Sequence, residues 1–81
     1  MKLELYHFES CPYCRKVRNF IDKNHLKSQI VYHDTHQDSA AAERLLKMND
    51  DSQVPCLVID GKPMLESDDI IAWLKENLVK N

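Results

Sequence analysis

One glycine and three prolines are all that interrupt this chain of 81 residues, and hydrophobic residues make up 43% of it. So few breakers argue against disorder or low complexity and for a compact globular unit. Charge is also scarce in any one sign: 11 Lys and Arg stand against 13 Asp and Glu, for a net charge of −2. The lysines are scattered rather than striped, so nucleic acid is not an expected partner. Long apolar runs are missing as well. The first residues hold one Lys, and Glu4 and His7 interrupt their apolar stretch, so neither a secretory leader nor a membrane span is expected. The length predicts one domain over residues 1–81, near the lower limit for folding on a single core. A reducing, cytoplasmic setting and a monomer are the expectations that go with this composition.

Cysteine is sparse too, yet two of the three cysteines stand together in Cys11-Pro12-Tyr13-Cys14. The motif falls where Leu3-Glu-Leu-Tyr-His-Phe8 gives way to a helical pattern from Arg15, so it marks a strand-to-helix junction. A cysteine at an exposed helix start faces unpaired backbone N–H groups and the positive end of the helix dipole, which favour thiolate over thiol. Cys11 is therefore the candidate nucleophile. Pro12 suits the first helical position, because its φ is already helical and its missing N–H would go unpaired there. Cys14, one turn on, lies on the same side and can close a small disulfide ring with Cys11. Half of a structural zinc site and two cysteines of no special role are the competing readings. With no second Cys-x-x-Cys in the chain, redox chemistry is favoured over metal.

Periodicity orders the rest. Lys2–Phe8 reads as a strand entering a core, and Tyr13, Val17, Phe20, Ile21 and Asn24 recur at three and four as an amphipathic helix over residues 12 to about 25. Gln29–His33 is β-prone. Ser39–Met48 combines helix formers with Asp38 or Ser39 as N-cap. Cys56-Leu-Val-Ile59 reads as a strand buried on both faces. Asp60-Gly61 predicts a tight hairpin into a short strand near Pro63–Leu65, with Pro63 at a sheet edge. A final helix begins at Ser67 as N-cap, with Asp68 and Asp69 on its positive dipole end and Ile70, Ile71, Leu74 and Leu78 on its apolar face. The order βαβαββα predicts an α/β fold with a mixed four-stranded sheet flanked by three helices.

Cys-Pro-Tyr-Cys after the first strand, Val54-Pro55 before the third and Glu66-Ser67-Asp68 at the last helix resemble a glutaredoxin of the thioredoxin fold. Gln53-Val54-Pro55 and Glu66-Ser67 resemble in particular the N-terminal domain of larger bacterial glutaredoxins built like glutathione transferases. The resemblance implies a cis Pro55 facing the dithiol, with the Val54 backbone free to pair with the cysteine moiety of glutathione. It also implies that Tyr13, Gln53, Glu66, Ser67 and Asp68 contact glutathione, the last three at its γ-glutamyl end. A helix start that binds a carboxylate beside acidic groups that bind an ammonium would suit that end, although Ser67-Asp68-Asp69 is also an ordinary cap.

Two positions depart from the family pattern. Phe8 stands where many relatives carry Lys or Arg three residues before the first Cys, and Leu65-Glu66 replaces a usual Gly-Gly. Gln53 is the candidate to hydrogen-bond the glycine carboxylate instead, and Lys16 or His7 to supply positive charge near Cys11. Cys56 is expected to be a buried structural thiol, His33 and His36 to lie in a solvated loop, and Trp73 to pack at the flank of the last helix. The expected activity is glutathione-dependent thiol-disulfide exchange on disulfide-containing or glutathionylated proteins, with glutathione as co-substrate and no tightly bound cofactor or metal. A redoxin served by thioredoxin reductase and a [2Fe–2S] or other metal-binding module are the rival readings.

Overall fold

The computed structural model describes residues 1–79, so the last two residues of the expected 1–81 domain lie outside the described residues. Strand β1 (Leu3–His7) alternates, with Leu3, Leu5 and His7 on one face and Glu4 and Tyr6 on the other. Helix α1 (Pro12–Lys23) follows a turn closed by the Cys11 N–H donating to the Phe8 carbonyl at 3.2 Å. It buries Cys14, Val17 and Ile21. Tyr13 is not part of that stripe, contrary to the periodicity reading. Cys14 takes the inward place three and seven residues before Val17 and Ile21, which turns Tyr13 outward to 65% exposure.

A single 3-10 turn at Lys27–Gln29, closed by Gln29 N–H to Leu26 C=O at 3.0 Å, delays β2 to Val31–Asp34. The second strand is therefore shifted from the expected Gln29–His33. Helix α2 (Ser39–Asn49) is capped by Asp38, whose Oδ1 accepts from the Ala40 and Ala41 amides at 3.0 and 3.3 Å. Strands β3 (Cys56–Ile59) and β4 (Lys62–Met64) are joined through Asp60 and Gly61, both at positive φ (49° and 87°), as a tight hairpin requires. Pro63 sits in the edge strand, as expected. Helix α3 (Ser67–Asn77) closes the order βαβαββα.

The sheet order is β2-β1-β3-β4, with β1 parallel to β2 and antiparallel to β3, and β3 antiparallel to β4. This is the mixed sheet of the thioredoxin fold. On one face α1 and α3 bury Leu3, Leu5, Val17, Ile21, Leu57, Ile70 and Leu74, with Trp73 partly buried at the flank as expected. On the other face α2 covers a smaller cluster of Tyr6, Ala41, Leu45, Cys56 and Val58. Full burial of a Leu or Ile contributes about 1.5–3 kcal/mol, so the α1/α3 side carries most of the core. Among the described residues, no helix is long and apolar enough to cross a membrane.

Candidate active site

At the start of α1 the Cys11 side chain occupies the capping position. Its Sγ accepts from the Cys14 N–H at 3.2 Å, where a Ser or Asp oxygen would normally sit. Both thiols are free. The sequence placed Cys11 at an exposed helix start, but only 5% of it is exposed, because the turn from β1 folds over the cap. Cys14 is sealed completely. Burial, and then the hydrogen bond with Cys11, pushes the Cys14 thiol up to about 12. The two sulfurs thus differ in kind: one caps the helix, and the other is a fully buried thiol at the start of the inward stripe.

Beside this turn an open cleft of about 590 Å³ is lined by Tyr13, Gln53, Val54, Pro55, Glu66, Ser67, Asp68 and Asp69. All seven residues that the resemblance named as glutathione contacts are brought together there. Asp69 was read only as part of the helix start. Its place in the first turn beside Asp68 was the signal that it would share the wall. The Val54–Pro55 bond is cis, as expected. Val54 lies outside every strand and has no backbone hydrogen-bond partner among the described residues, so its peptide edge is open.

Glu66 is held at φ 74° as the residue before α3, a left-handed conformation that suits glycine and costs another residue about 1–3 kcal/mol. Ser67 is a correction: it is the first helical residue, 9% exposed, and no side chain caps α3. The left-handed turn at Glu66 moves the cap position one residue back. Ser67 thereby opens the helix and lines the cleft wall without capping α3.

Charge in the cleft is one-sided. Glu66, Asp68 and Asp69 face it, and the neighbouring cation Lys16 is already held by Asp68. Gln53 Nε2 reaches toward Glu66 Oε1 at 3.4 Å. His7 does not supply positive charge, contrary to one expectation: it is 5% exposed, and burial, then the Arg18 charge, lowers its pKa. Phe8 lies face to face with the exposed His36 ring, centroids 3.8 Å apart. His33 is not in a solvated loop. It sits in β2, with Nε2 3.0 Å from Glu4 Oε1 and its ring 4.8 Å from that of Tyr6. His33 and His36 thus have separate partners, and among the described residues no three His, Cys, Asp or Glu side chains are grouped as metal ligands. Cys56 is fully buried at the start of β3, with its thiol raised by burial and Asn49 Nδ2 3.5 Å away, as a structural cysteine would be.

The model of the glutathione S-transferase N-terminal domain matches residues 5–80. The chain belongs to that family. Prostaglandin E synthase 2 of Danio rerio is 31% identical over 71 residues, which are 88% of this chain and 18% of that protein. Among solved structures, a thioredoxin-like protein is 32% identical with a TM-score of 0.76, covering 95% of this chain and 99% of its own. An epsilon-class glutathione S-transferase from the housefly Musca domestica is 27% identical with a TM-score of 0.80, covering 99% of this chain and 37% of its own. The chain therefore spans less than a fifth of the curated relative and corresponds to one glutathione-related, thioredoxin-like domain.

Proposed function

We propose that the chain is a glutathione-dependent thiol-disulfide oxidoreductase of glutaredoxin type, acting on disulfide-containing and glutathionylated proteins. The observation that carries this reading is the pair of free thiols at the start of α1, with Cys11 capping the helix at 5% exposure and Cys14 fully buried one turn on, next to the Tyr13–Asp69 cleft. Cys11 Sγ attacks one sulfur of the target disulfide, and the other sulfur leaves as thiolate. For a glutathionylated protein, the protein thiol leaves and a second glutathione resolves Cys11–glutathione. For a protein disulfide, Cys14 attacks Cys11 Sγ and expels the target thiolate, at the high effective concentration of an intramolecular thiol. The role of the cleft is to seat glutathione, with the open Val54 peptide edge meeting its cysteine moiety and the acidic start of α3 meeting its α-ammonium.

The family relatives named for glutathione support this reading. The test is reduction of a glutathionylated peptide and of a protein disulfide with glutathione, glutathione reductase and NADPH. Turnover of both is expected, and absence of both in a folded protein would refute it.

The one-sided charge of the cleft favours a second reading, since Lys16 is engaged by Asp68 and no Lys or Arg lines the wall to meet the glycine carboxylate. In it, thioredoxin reductase rather than glutathione returns electrons to Cys11 and Cys14. Replacing glutathione and its reductase by thioredoxin reductase in the same assay separates the two.

A further inference from the structure

The cleft beside the dithiol holds more negative charge than glutathione can use. Glu66, Asp68 and Asp69 are all exposed on its wall, whereas glutathione at neutral pH brings a single ammonium and two carboxylates of its own. The neighbouring cation Lys16 is held by Asp68, and Gln53 Nε2 reaches toward Glu66 Oε1 at 3.4 Å. Cations do stand next to the motif, but Arg15 and Arg18 line the other pocket, with Glu9, Asp22 and Lys27. No Lys or Arg lines the acidic wall itself.

Two features of the same cleft, independent of its charge, suit a peptide. The Val54 peptide edge has no backbone partner among the described residues, so an extended chain can pair with it as an added strand. Ser67 is 9% exposed, and its hydroxyl lines the cleft with no side-chain hydrogen-bond partner among the described residues. A polar group so nearly buried and left unpaired is ready to bond a ligand. Tyr13, two residues after Cys11 in the first turn of α1 and 65% exposed, ties this wall to the nucleophile. An extended residue advances about 3.3 Å, so charges within three residues of a cysteine bound to Cys11 lie within about 10 Å of it. That is one screening length at 0.1 M salt.

We propose that the cleft selects protein disulfides whose cysteine lies in an extended segment flanked by Lys or Arg. The proposal names the class of target for the dithiol reading above and rests on it. The segment's backbone pairs with Val54, and its cationic side chains meet Glu66, Asp68 and Asp69. An acidic segment would bring like charge against the wall and is rejected. Cys11 thiolate attacks one sulfur of the target and the other leaves as thiolate; Cys14 then bonds to Cys11 Sγ and expels the second. The enzyme thiols become a disulfide, the target disulfide becomes two thiols, and the two protons pass from enzyme to target through solvent. Glutathione, entering once the target has left, engages the wall through its ammonium alone.

The test is single-turnover reaction of the reduced protein with two symmetrical disulfide-linked peptides of equal length, one with Lys and one with Glu on both sides of the cysteine. Each rate is divided by the rate of dithiothreitol with the same peptide, which removes the difference in leaving-group thiols. At about 0.01 M salt, where the screening length is about 30 Å, the basic peptide should react faster on the order of tenfold. At about 1 M salt, where that length is about 3 Å, the ratio should approach one. In the double variant Glu66→Gln with Asp69→Asn the low-salt ratio should shrink, and in Asp69→Lys it should shrink further. A merely structural role for these carboxylates would slow both peptides alike and leave the ratio in place. Equal rates at low salt, an unchanged ratio in the variants, or faster reaction with glutathione disulfide than with the basic peptide would overturn the proposal and leave the dithiol reading standing. Failure of the folded, reduced wild type to react with either peptide would instead refute the dithiol reading itself.

Discussion

The cleft at the start of α1 and the pocket between α1 and β2 are built from opposite materials. The wall from Tyr13 to Asp69 carries the exposed carboxylates Glu66, Asp68 and Asp69. The pocket of His7, Arg18 and Tyr32 carries buried polar atoms without protein partners. An exposed charged wall can recognise a small molecule at little cost to the fold, and each of its residues is worth a modest factor in affinity. A buried polar cluster without partners is expensive to the fold. The two thiols differ in degree of burial: Cys11 caps α1 with 5% of it exposed, whereas Cys14 is fully buried.

The division is broken most directly at the sulfurs. Cys11→Ser should abolish turnover of glutathionylated peptide and of protein disulfide, whereas Cys14→Ser should keep the former and lose most of the latter. Loss of deglutathionylation in a folded Cys14→Ser protein would erase the distinction between the two environments. A related measurement is native alkylation followed by mass spectrometry. One of the three thiols, Cys11, should react at pH 8, with Cys14 and Cys56 modified only on unfolding, since both are fully buried with thiols raised by burial.

Next in size are changes to the exposed wall. Glu66→Gly removes a carboxylate and relieves a positive φ, so the glutathione KM should rise while the melting temperature holds or increases. Asp68→Ala should also raise that KM, by about tenfold if a charge-assisted hydrogen bond to the ligand is lost. Its effect on stability should stay below about 1 kcal/mol, because the Lys16–Asp68 pair is exposed. Wild-type KM values for both variants would leave the wall with no ligand role.

The smallest effect sharpens the buried side. The folded-state pKa of His7 is depressed below its ordinary 6.5, so protonation favours the unfolded chain. Its stabilising contribution is present above about pH 6.5 and is lost as pH falls through the depressed folded value. Urea midpoints taken between pH 7 and pH 5 should therefore fall less steeply in His7→Gln than in the wild type. Parallel slopes would show that His7 is not held neutral.

Much of this protein follows from its order of residues. Val17 and Ile21 at helical spacing, the continuous Cys56–Ile59 run and Asp60-Gly61 specify elements through local rules, because periodicity and turn chemistry act over a few residues. Cys-Pro-Tyr-Cys at a strand-to-helix junction likewise places two thiols one turn apart by local rules, and the resemblance it supports named seven residues that share one cleft. What failed depended on backbone geometry at single positions. The left-handed turn at Glu66 moved the α3 cap away from Ser67, and the tight turn at Lys27–Gln29 shifted β2. His7, Arg18 and Tyr32 are far apart in sequence and carry no motif, and only the packing of α1 over β1 and β2 makes them one buried cluster. Burial is a property of the assembled layers, so the sequence determined which thiols stand one helical turn apart, and the tertiary structure alone decided how far each is shut away from water.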